Sequence, residues 1–184
     1  MTSKKSLSNE LALYPTPLAV VGTVVDGRVN WVTIAFTGIS GMKEISLCID
    51  RSHFTTGALK IGETISVNLI DEELIPATDY VGVHSGKDLD KSQVFDYYFE
   101  SSETAPIISE APISMECEII DIVREDNYIL RVKNTLARED VLGEDGKIDL
   151  AKAKPVLFSY LNNEYLLVGE KVGNCWADFK KYRP

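Results

Sequence analysis

The chain has 184 residues, a length that predicts one domain. Hydrophobic residues make up 45% of it and charged residues 26%, which excludes an intrinsically disordered protein. Lysine and arginine number 19 against 28 aspartate and glutamate, a net charge of −9, so we expect neither nucleic acid nor an anionic membrane as a partner.

The cysteines and histidines restrict the chemistry further. Cys48, Cys117 and Cys175 are odd in number and widely spaced, which excludes a disulfide framework and a four-cysteine metal or iron–sulfur site within one chain. His53 and His84 are too far apart for a metal-binding histidine pair, so we expect no metal. The sequence lacks both a signal-peptide pattern and an apolar stretch of ~18 residues, and this predicts a cytoplasmic protein without a membrane segment.

The first half of the chain is predicted to be strands interrupted by one helix. Two apolar, β-branched runs flank Asp26–Gly27, a strong hairpin signal, and Gly38 and Gly41 mark the next turn. Ser52 is the predicted N-cap of a helix over 54–61. The predicted strands are 17–25, 28–37, 44–49 and 63–70.

The second half begins with a polar segment, 71–112, which we expect to form short helices and ordered loops, where functional sites tend to lie. Met115, Cys117 and Ile119 share one face of a later strand. Strands closed by hairpins, with a helix inserted, predict a mainly β (α+β) protein built on a closed or partly closed antiparallel barrel. The later predicted strands are 113–123, 128–136, 156–160 and 165–169.

Two segments carry candidate chemistry. In 50–56, hydroxyl groups and a guanidinium group surround a helix start, which suits a phosphate monoester, although an ordinary capped helix with a solvated arginine explains the same residues. In 79–91, clustered glycine, serine and lysine offer close backbone approach and a second positive charge, and a plain polar loop is the alternative. The glycine spacing in 82–87 is too short for a Walker loop, and no Rossmann fingerprint follows a strand.

Together with other motifs along the chain, these two segments resemble the sequence pattern of the flavin reductase-like, FMN-binding split-barrel family. The resemblance is strongest to the flavoredoxins of that family. The resemblance runs from about 11 to 179 and implies a single domain over 1–184, with terminal extensions at a dimer interface. Many members carry a Pro-Pro pair before the third strand, where this chain has Gly41–Glu44. The motifs that carry the resemblance are Tyr14–Pro17, Val20–Thr23, Asn30–Ala35, Arg51–Thr56, Ser66–Asn68, Thr78–Gly86 and Asp90–Lys91.

The resemblance implies a Greek-key split β-barrel with a few inserted helices, assembled as a homodimer with one FMN per subunit near the interface. The residues expected along the isoalloxazine ring are Asn30, Trp31, Thr33, Ala35 and Phe36. Those expected at the phosphate are Arg51, Ser52, Thr55 and Thr56, helped by Lys91. Those expected in the pocket wall are Asn68, Asp79, Tyr80, Ser85 and Gly86.

The function implied is that of an oxidoreductase in which NADH or NADPH passes hydride to the flavin and an acceptor then takes the electrons. No catalytic side chain is assigned, because the flavin carries the redox chemistry. An electron carrier served by a protein donor, a reductase that releases reduced flavin to a monooxygenase, and a non-enzymatic binding barrel are the alternatives. The aromatic stretch 95–99 suits a flavin cover, a dimer contact or the core, and the tail 175–179 suits a contact with the partner subunit.

Overall fold

A computed structural model of the chain describes residues 2–13 and 15–182, so Tyr14, which opens one of the sequence motifs, lies outside the described residues. The strands are β1 (Thr16–Pro17), β2 (Ala19–Val25), β3 (Arg28–Ile34), β4 (Thr37–Gly41), β5 (Glu44–Cys48), β6 (Thr64–Leu69), β7 (Tyr97–Phe99), β8 (Pro106–Ile108), β9 (Ile113–Val123), β10 (Asn127–Ala137), β11 (Val156–Ser159) and β12 (Glu164–Leu167). The α-helices are α1 (Ile75–Val83) and α2 (Leu150–Ala153), and short 3-10 helices lie at Phe54–Ala58, Glu72–Leu74, Glu139–Val141 and Asp178–Lys181.

Seven antiparallel strands form the main sheet, in the order β3-β2-β6-β9-β10-β5-β4. Its two edge strands, β3 and β4, are joined by only Ala35 and Phe36. One nearly continuous segment therefore pairs with β2 before this bend and with β5 after it, and the sheet curls into a split barrel. The predicted mainly β, antiparallel barrel is confirmed, whereas the prediction of one uninterrupted strand over 28–37 was wrong at the bend.

Apolar residues on the two faces of the barrel sheet form two cores. Inside the barrel, Val67, Cys117 and Ile119 are buried and Met115 packs against them, which confirms the face predicted for the β9 strand. Outside the barrel, Trp31 is fully buried, and its ring meets that of Phe95 edge to face at 5.5 Å between centroids. Part of the aromatic stretch 95–99 thus belongs to the protein's own core.

Several local predictions need correction. The segment after Ser52 is a five-residue 3-10 helix with His53 at its N-cap position, and no side chain caps it. The Ser52 N–H instead donates to Asp50 Oδ1 at 2.8 Å, because the aspartate two residues before it forms a local turn. Gly38 lies within β4, whereas Gly41 ends β4 and borders the turn at 42–43, where it pairs with Glu44. The segment 71–112 contains the ribbon β7–β8 besides its helices.

A small sheet, in the order β1-β11-β12, lies beside the barrel, so the last two predicted strands are confirmed. Pairing of Thr16 with Phe158 places β1 next to β11. The tail that follows β12 is exposed, with Val172 at 97% and Trp176 at 89% relative exposure. In the described part of the chain, none of the helices has the length and apolar character needed to cross a membrane.

Glu116 is a buried carboxylate that holds the segment 101–102 against the main sheet. Its Oε1 accepts from the N–H groups of Ser101 at 2.8 Å and Ser102 at 3.1 Å, and its Oε2 accepts from Ser101 Oγ at 2.5 Å and Asn134 Nδ2 at 3.3 Å. Burial alone raises the pKa of the Glu116 carboxyl, but the hydrogen bonds from these three residues outweigh burial and hold the pKa below its ordinary value.

Replacing Glu116 by glutamine is expected to lower the free energy of unfolding at neutral pH by about 1.5–3 kcal/mol, since a hydrogen bond to a charged group contributes that much. The pKa is lower in the folded state, so this stabilisation is complete above the unfolded value of about 4.3 and is lost as pH falls through the folded value. Urea unfolding at neutral and acidic pH should show the difference between the two proteins shrinking in acid.

The matched control for this experiment is Glu118→Gln on the same strand. Glu118 pairs with Lys133 at 3.1 Å near the surface, where an ion pair contributes about 0–1 kcal/mol. The control should therefore cost little at either pH. A Glu116→Gln deficit as small as that of the control, or one that is the same at both pH values, would contradict the role of the carboxylate.

Candidate functional site

The two candidate segments of the sequence meet at one place in the fold. Residues 52–55 and 82–86 face each other across a cleft of about 200 Å³, closed at its base by Val32 and Lys91. A larger cleft of about 540 Å³ adjoins it and is lined by 51–54, 56–58, Asp26 and Lys87. The predicted residues that the structure brings together in these clefts are Arg51, Ser52, Thr55, Thr56, Ser85, Gly86 and Lys91.

The loop 51–56 is held by its own hydrogen bonds, and its cation stays exposed. Thr56 Oγ1 is within hydrogen-bond distance of the carbonyl oxygens of Arg51, at 3.0 Å, and His53, at 2.7 Å. The Arg51 guanidinium pairs with Glu125 at the surface, with 75% of its side chain exposed. Such an exposed pair contributes about 0–1 kcal/mol, so Arg51 can be redirected to another anion at little cost.

A buried hydrogen bond from Asn30 connects β3 to the loop 51–56. The Asn30 side chain is buried, and Nδ2 donates to the equally buried Thr55 Oγ1 at 2.8 Å. Asn30 Oδ1 lies so close to the backbone of Gly86 that a Cβ atom there would stand 2.3 Å from it and 2.6 Å from Phe54 Cδ1. Only glycine at position 86 therefore allows the segment 82–86, which begins in the last turn of α1, to approach the segment 51–56 this closely.

Lys91 is a buried cation at the base of the smaller cleft, with 4% relative exposure. Its Nζ donates to the carbonyl oxygens of Val81 at 2.7 Å and Trp31 at 3.0 Å. An ammonium group has three donors, so one remains beyond these two bonds. Burial lowers the pKa of Lys91 to about 8. No carboxylate pairs with Lys91 in the part of the chain that the structure describes, and none lines the smaller cleft there.

The free edge of β3 runs beside this cleft. Asp26 and Gly27 both have positive φ, 52° and 77°, which defines a type I′ turn closed by the pair Val25 and Arg28. Hydrogen-bonded and non-hydrogen-bonded pairs alternate along an antiparallel hairpin, so odd-numbered residues of β3 point their peptide groups away from β2. Because β3 is an edge strand of the main sheet, these groups have no further strand to pair with among residues 2–13 and 15–182.

Side chains occupy part of this edge. Lys91 binds the Trp31 carbonyl, and Thr16 Oγ1 donates to the Ala35 carbonyl at 2.7 Å. Thr33 Oγ1 donates to the Thr78 carbonyl at 2.5 Å, which fixes α1 against β3. Sequence reasoning assigned no role to Thr16, although it lies in the Tyr14–Pro17 motif and that motif was the signal for it.

Two of the predicted residues turn away from the clefts. The Trp31 indole packs in the outer core, so only the backbone of Trp31 faces the site. Asn68 is fully buried: its Nδ2 donates to Val20 and Ser66, and its Oδ1 accepts from Ile108 and Ser114. These four bonds use the whole capacity of an amide, so Asn68 stabilises the sheet and has no polar group left for a pocket wall.

The remaining predicted residues do not line either cleft. Asp79 on α1 accepts a hydrogen bond from the Tyr165 hydroxyl, which joins the small sheet to α1, and burial together with Asp79 raises the pKa of Tyr165 to about 12. Tyr80 is exposed and its ring contacts that of His84 at 4.4 Å. Phe36 is exposed at the bend between β3 and β4, where its ring packs on Tyr160 at 5.4 Å. Ala35 and Phe36 thus follow the end of β3, whereas Asn30, which contacts the loop 51–56, lies near its start.

Comparisons with known proteins place the fold. A family model described as "Flavin reductase like domain" matches residues 11–160. A flavoredoxin from Methanosarcina acetivorans is 26% identical, with a TM-score of 0.89 over 98% of this chain and 99% of that chain. Flavoredoxin of Desulfovibrio vulgaris (Miyazaki F) is also 26% identical, with a TM-score of 0.87 over 95% and 98%. An FMN-binding protein from Thermus thermophilus is 24% identical, with a TM-score of 0.73 over 95% and 99%. The comparison with curated proteins gave no match.

Proposed function

Because the chain belongs to the flavin reductase like domain family, we propose that it is an FMN-binding oxidoreductase. In this proposal NADH or NADPH is the electron donor, and electrons pass through the bound FMN to an acceptor. The neighbouring structures support the cofactor, since one of them is an FMN-binding protein and others are flavoredoxins.

The observation that carries the proposal is the buried cation beside an unpaired strand edge. A buried ammonium group without a carboxylate partner is costly, and an anionic ligand offsets that cost. The cleft over Lys91 offers the hydroxyl groups of Ser52, Thr55 and Ser85 as further donors. This donor set fits a phosphate monoester, and Arg51 at the mouth adds a second cation.

In this proposal, different residues bind the phosphate and the ring of FMN. The groups that would hold the phosphate are Arg51, Ser52, Thr55, Thr56 and Lys91. The peptide groups on the β3 edge, from Trp31 to Ala35, would orient the ring. FMN, when bound, supplies the two-electron chemistry, while the protein supplies binding, orientation and electrostatics. Asn30 and Gly86 act on the cleft itself, because they fix how closely its two loops approach.

We also propose that the protein is a homodimer in which the tail packs on the partner subunit. The apolar side chains of Val172, Trp176 and Phe179 are 97%, 89% and 69% exposed, and a run of this kind is typical of an interaction surface. Sedimentation equilibrium tests this proposal, and a monomer at all concentrations would contradict it.

An electron carrier served by a protein donor is the second candidate, favoured by the two flavoredoxins that match nearly the whole chain. Reduction of the bound flavin, followed anaerobically by the loss of its visible absorbance, separates the two functions. Fast reduction by NADH or NADPH supports the first. Slow reduction by both, with fast reduction by a ferredoxin-like protein, supports the second.

Titration of the purified protein with FMN tests the binding on which both functions depend. We expect the fluorescence of FMN to be quenched and its visible spectrum to shift, with tighter binding of FMN than of riboflavin because riboflavin lacks the phosphate. Absence of quenching with either flavin would refute the proposed function. Equal affinities for FMN and riboflavin would refute the phosphate site but not flavin binding.

A further inference from the structure

Two carbonyl groups on the free edge of β3 are bound by side chains and not by a strand. The Trp31 carbonyl accepts from Lys91 and the Ala35 carbonyl from Thr16. Thr33 lies between them, and alternate peptide groups of a strand point to the same side, so the three peptide groups share one edge. Outside the strand pairing, the described residues show no acceptor for the N–H groups at 31, 33 and 35.

This arrangement makes the edge electrically positive. A bare strand edge presents N–H and carbonyl groups in equal number, and their partial charges largely cancel. Thr16 and Lys91 each cover one carbonyl oxygen with a donor, and Lys91 adds a positive charge of its own. The groups left uncovered along 31–35 are then mainly N–H donors.

We propose that Thr16 and Lys91 are positioning residues that raise the reduction potential of the bound flavin, by covering the carbonyl oxygens of the β3 edge and leaving its N–H groups to face the ring. The inference rests on the proposed function, which places the ring along this edge. Reduction adds negative charge to the flavin ring, and donors fixed in advance stabilise developing negative charge, whereas an uncovered carbonyl oxygen opposes it.

The decisive variant is Thr16→Val, which removes the hydroxyl group and keeps the branched shape. Its matched control is Thr37→Val, because Thr37 Oγ1 donates at 2.9 Å to the carbonyl of Pro17, in β1 next to Thr16, and that carbonyl is not on β3. Anaerobic spectroelectrochemical titration of the FMN-loaded proteins gives the midpoint potentials. We expect Thr16→Val to favour the oxidised over the reduced flavin about tenfold, a fall of about 30 mV for a two-electron couple.

The control should keep the wild-type potential, and Thr16→Ser, which retains the hydroxyl, should restore it. The inference is overturned if Thr16→Val keeps the wild-type potential, or if Thr37→Val shows an equal fall. As long as the wild-type protein binds FMN, neither result affects the proposed function. If Thr16→Val does not fold, Thr16→Ala tests the same carbonyl against Thr37→Ala. A fall only in Thr16→Ala supports the inference, and equal potentials overturn it. A wild-type protein that binds no flavin refutes the proposed function instead.

Discussion

Replacing Arg51 by alanine together with Lys91 by methionine is expected to raise the dissociation constant for FMN at least about 100-fold, while the constant for riboflavin changes little. Each cation offers the phosphate a charge-assisted hydrogen bond of ~1.5–3 kcal/mol. Two lost bonds amount to ~3–6 kcal/mol, or roughly 10²- to 10⁴-fold in affinity. Fluorescence titrations with both flavins measure the effect, and riboflavin isolates the phosphate from the ring.

The control for this double substitution is Arg131→Ala with Lys60→Met. Arg131 is exposed and pairs with Glu44 at 3.6 Å, as Arg51 pairs with Glu125, so the control also removes one surface ion pair and two positive charges. A general effect of net charge on an anionic ligand would appear in both proteins. The phosphate assignment is wrong if the two doubles bind FMN alike, or if the Arg51 and Lys91 double loses riboflavin as strongly as FMN.

The clustering of the residues that we propose to hold the phosphate could be predicted from the sequence, because most of them are neighbours in the chain. Arg51, Ser52 and Thr56 lie within six positions, so the loop that holds them keeps them together whatever the rest of the fold does. The family resemblance also predicted Asn30 and the pair Ser85–Gly86, and the structure places them at or beside the smaller cleft. Their hydrogen bonds and close contacts depend on tertiary packing.

The directions of side chains could not be predicted in the same way. Trp31 and Asn68 lie on strands, and a shift of one residue in register exchanges the two faces of a strand. The turn at Asp26–Gly27 sets the register of β3. In this register the Trp31 indole packs in the core outside the barrel, and the Trp31 carbonyl accepts a hydrogen bond from Lys91. Asn68 is held by four partners, and three of them come from distant segments, which no local pattern reveals.

An antiparallel barrel could be predicted from the sequence, but the position of the bend that closes it could not. Most residues from 28 to 37 favour strands, and the segment contains no glycine or proline, so the weak strand former Ala35 is the only local signal for the bend at Ala35–Phe36. The bend exists because the segment pairs with β2 on one side and β5 on the other, and the Cys48 N–H bonds the Phe36 carbonyl at 3.0 Å across it. Only long-range pairing specifies that position.

Replacing Gly22 by alanine is expected to lower the free energy of unfolding by about 3 kcal/mol, the upper end of the usual cost of overpacking. A Cβ atom at Gly22 would stand 2.3 Å from Trp31 Cζ3 and 2.6 Å from Ser66 Oγ. Neither neighbour can withdraw, because both are fully buried and the Trp31 ring is wedged against Phe95 and Tyr97. Urea unfolding followed by circular dichroism measures the change.

The same substitution should also affect the candidate site, because Gly22 on β2 is paired with Trp31 on β3. To make room for a methyl group, the indole must push β3 away from β2, and this moves the Trp31 carbonyl relative to Lys91. We therefore expect Gly22→Ala to weaken FMN binding as well as stability. Gly169→Ala, where a Cβ atom meets nothing within 4 Å, should change neither. An unfolding midpoint for Gly22→Ala equal to that of this control would contradict the close packing of Trp31 on β2.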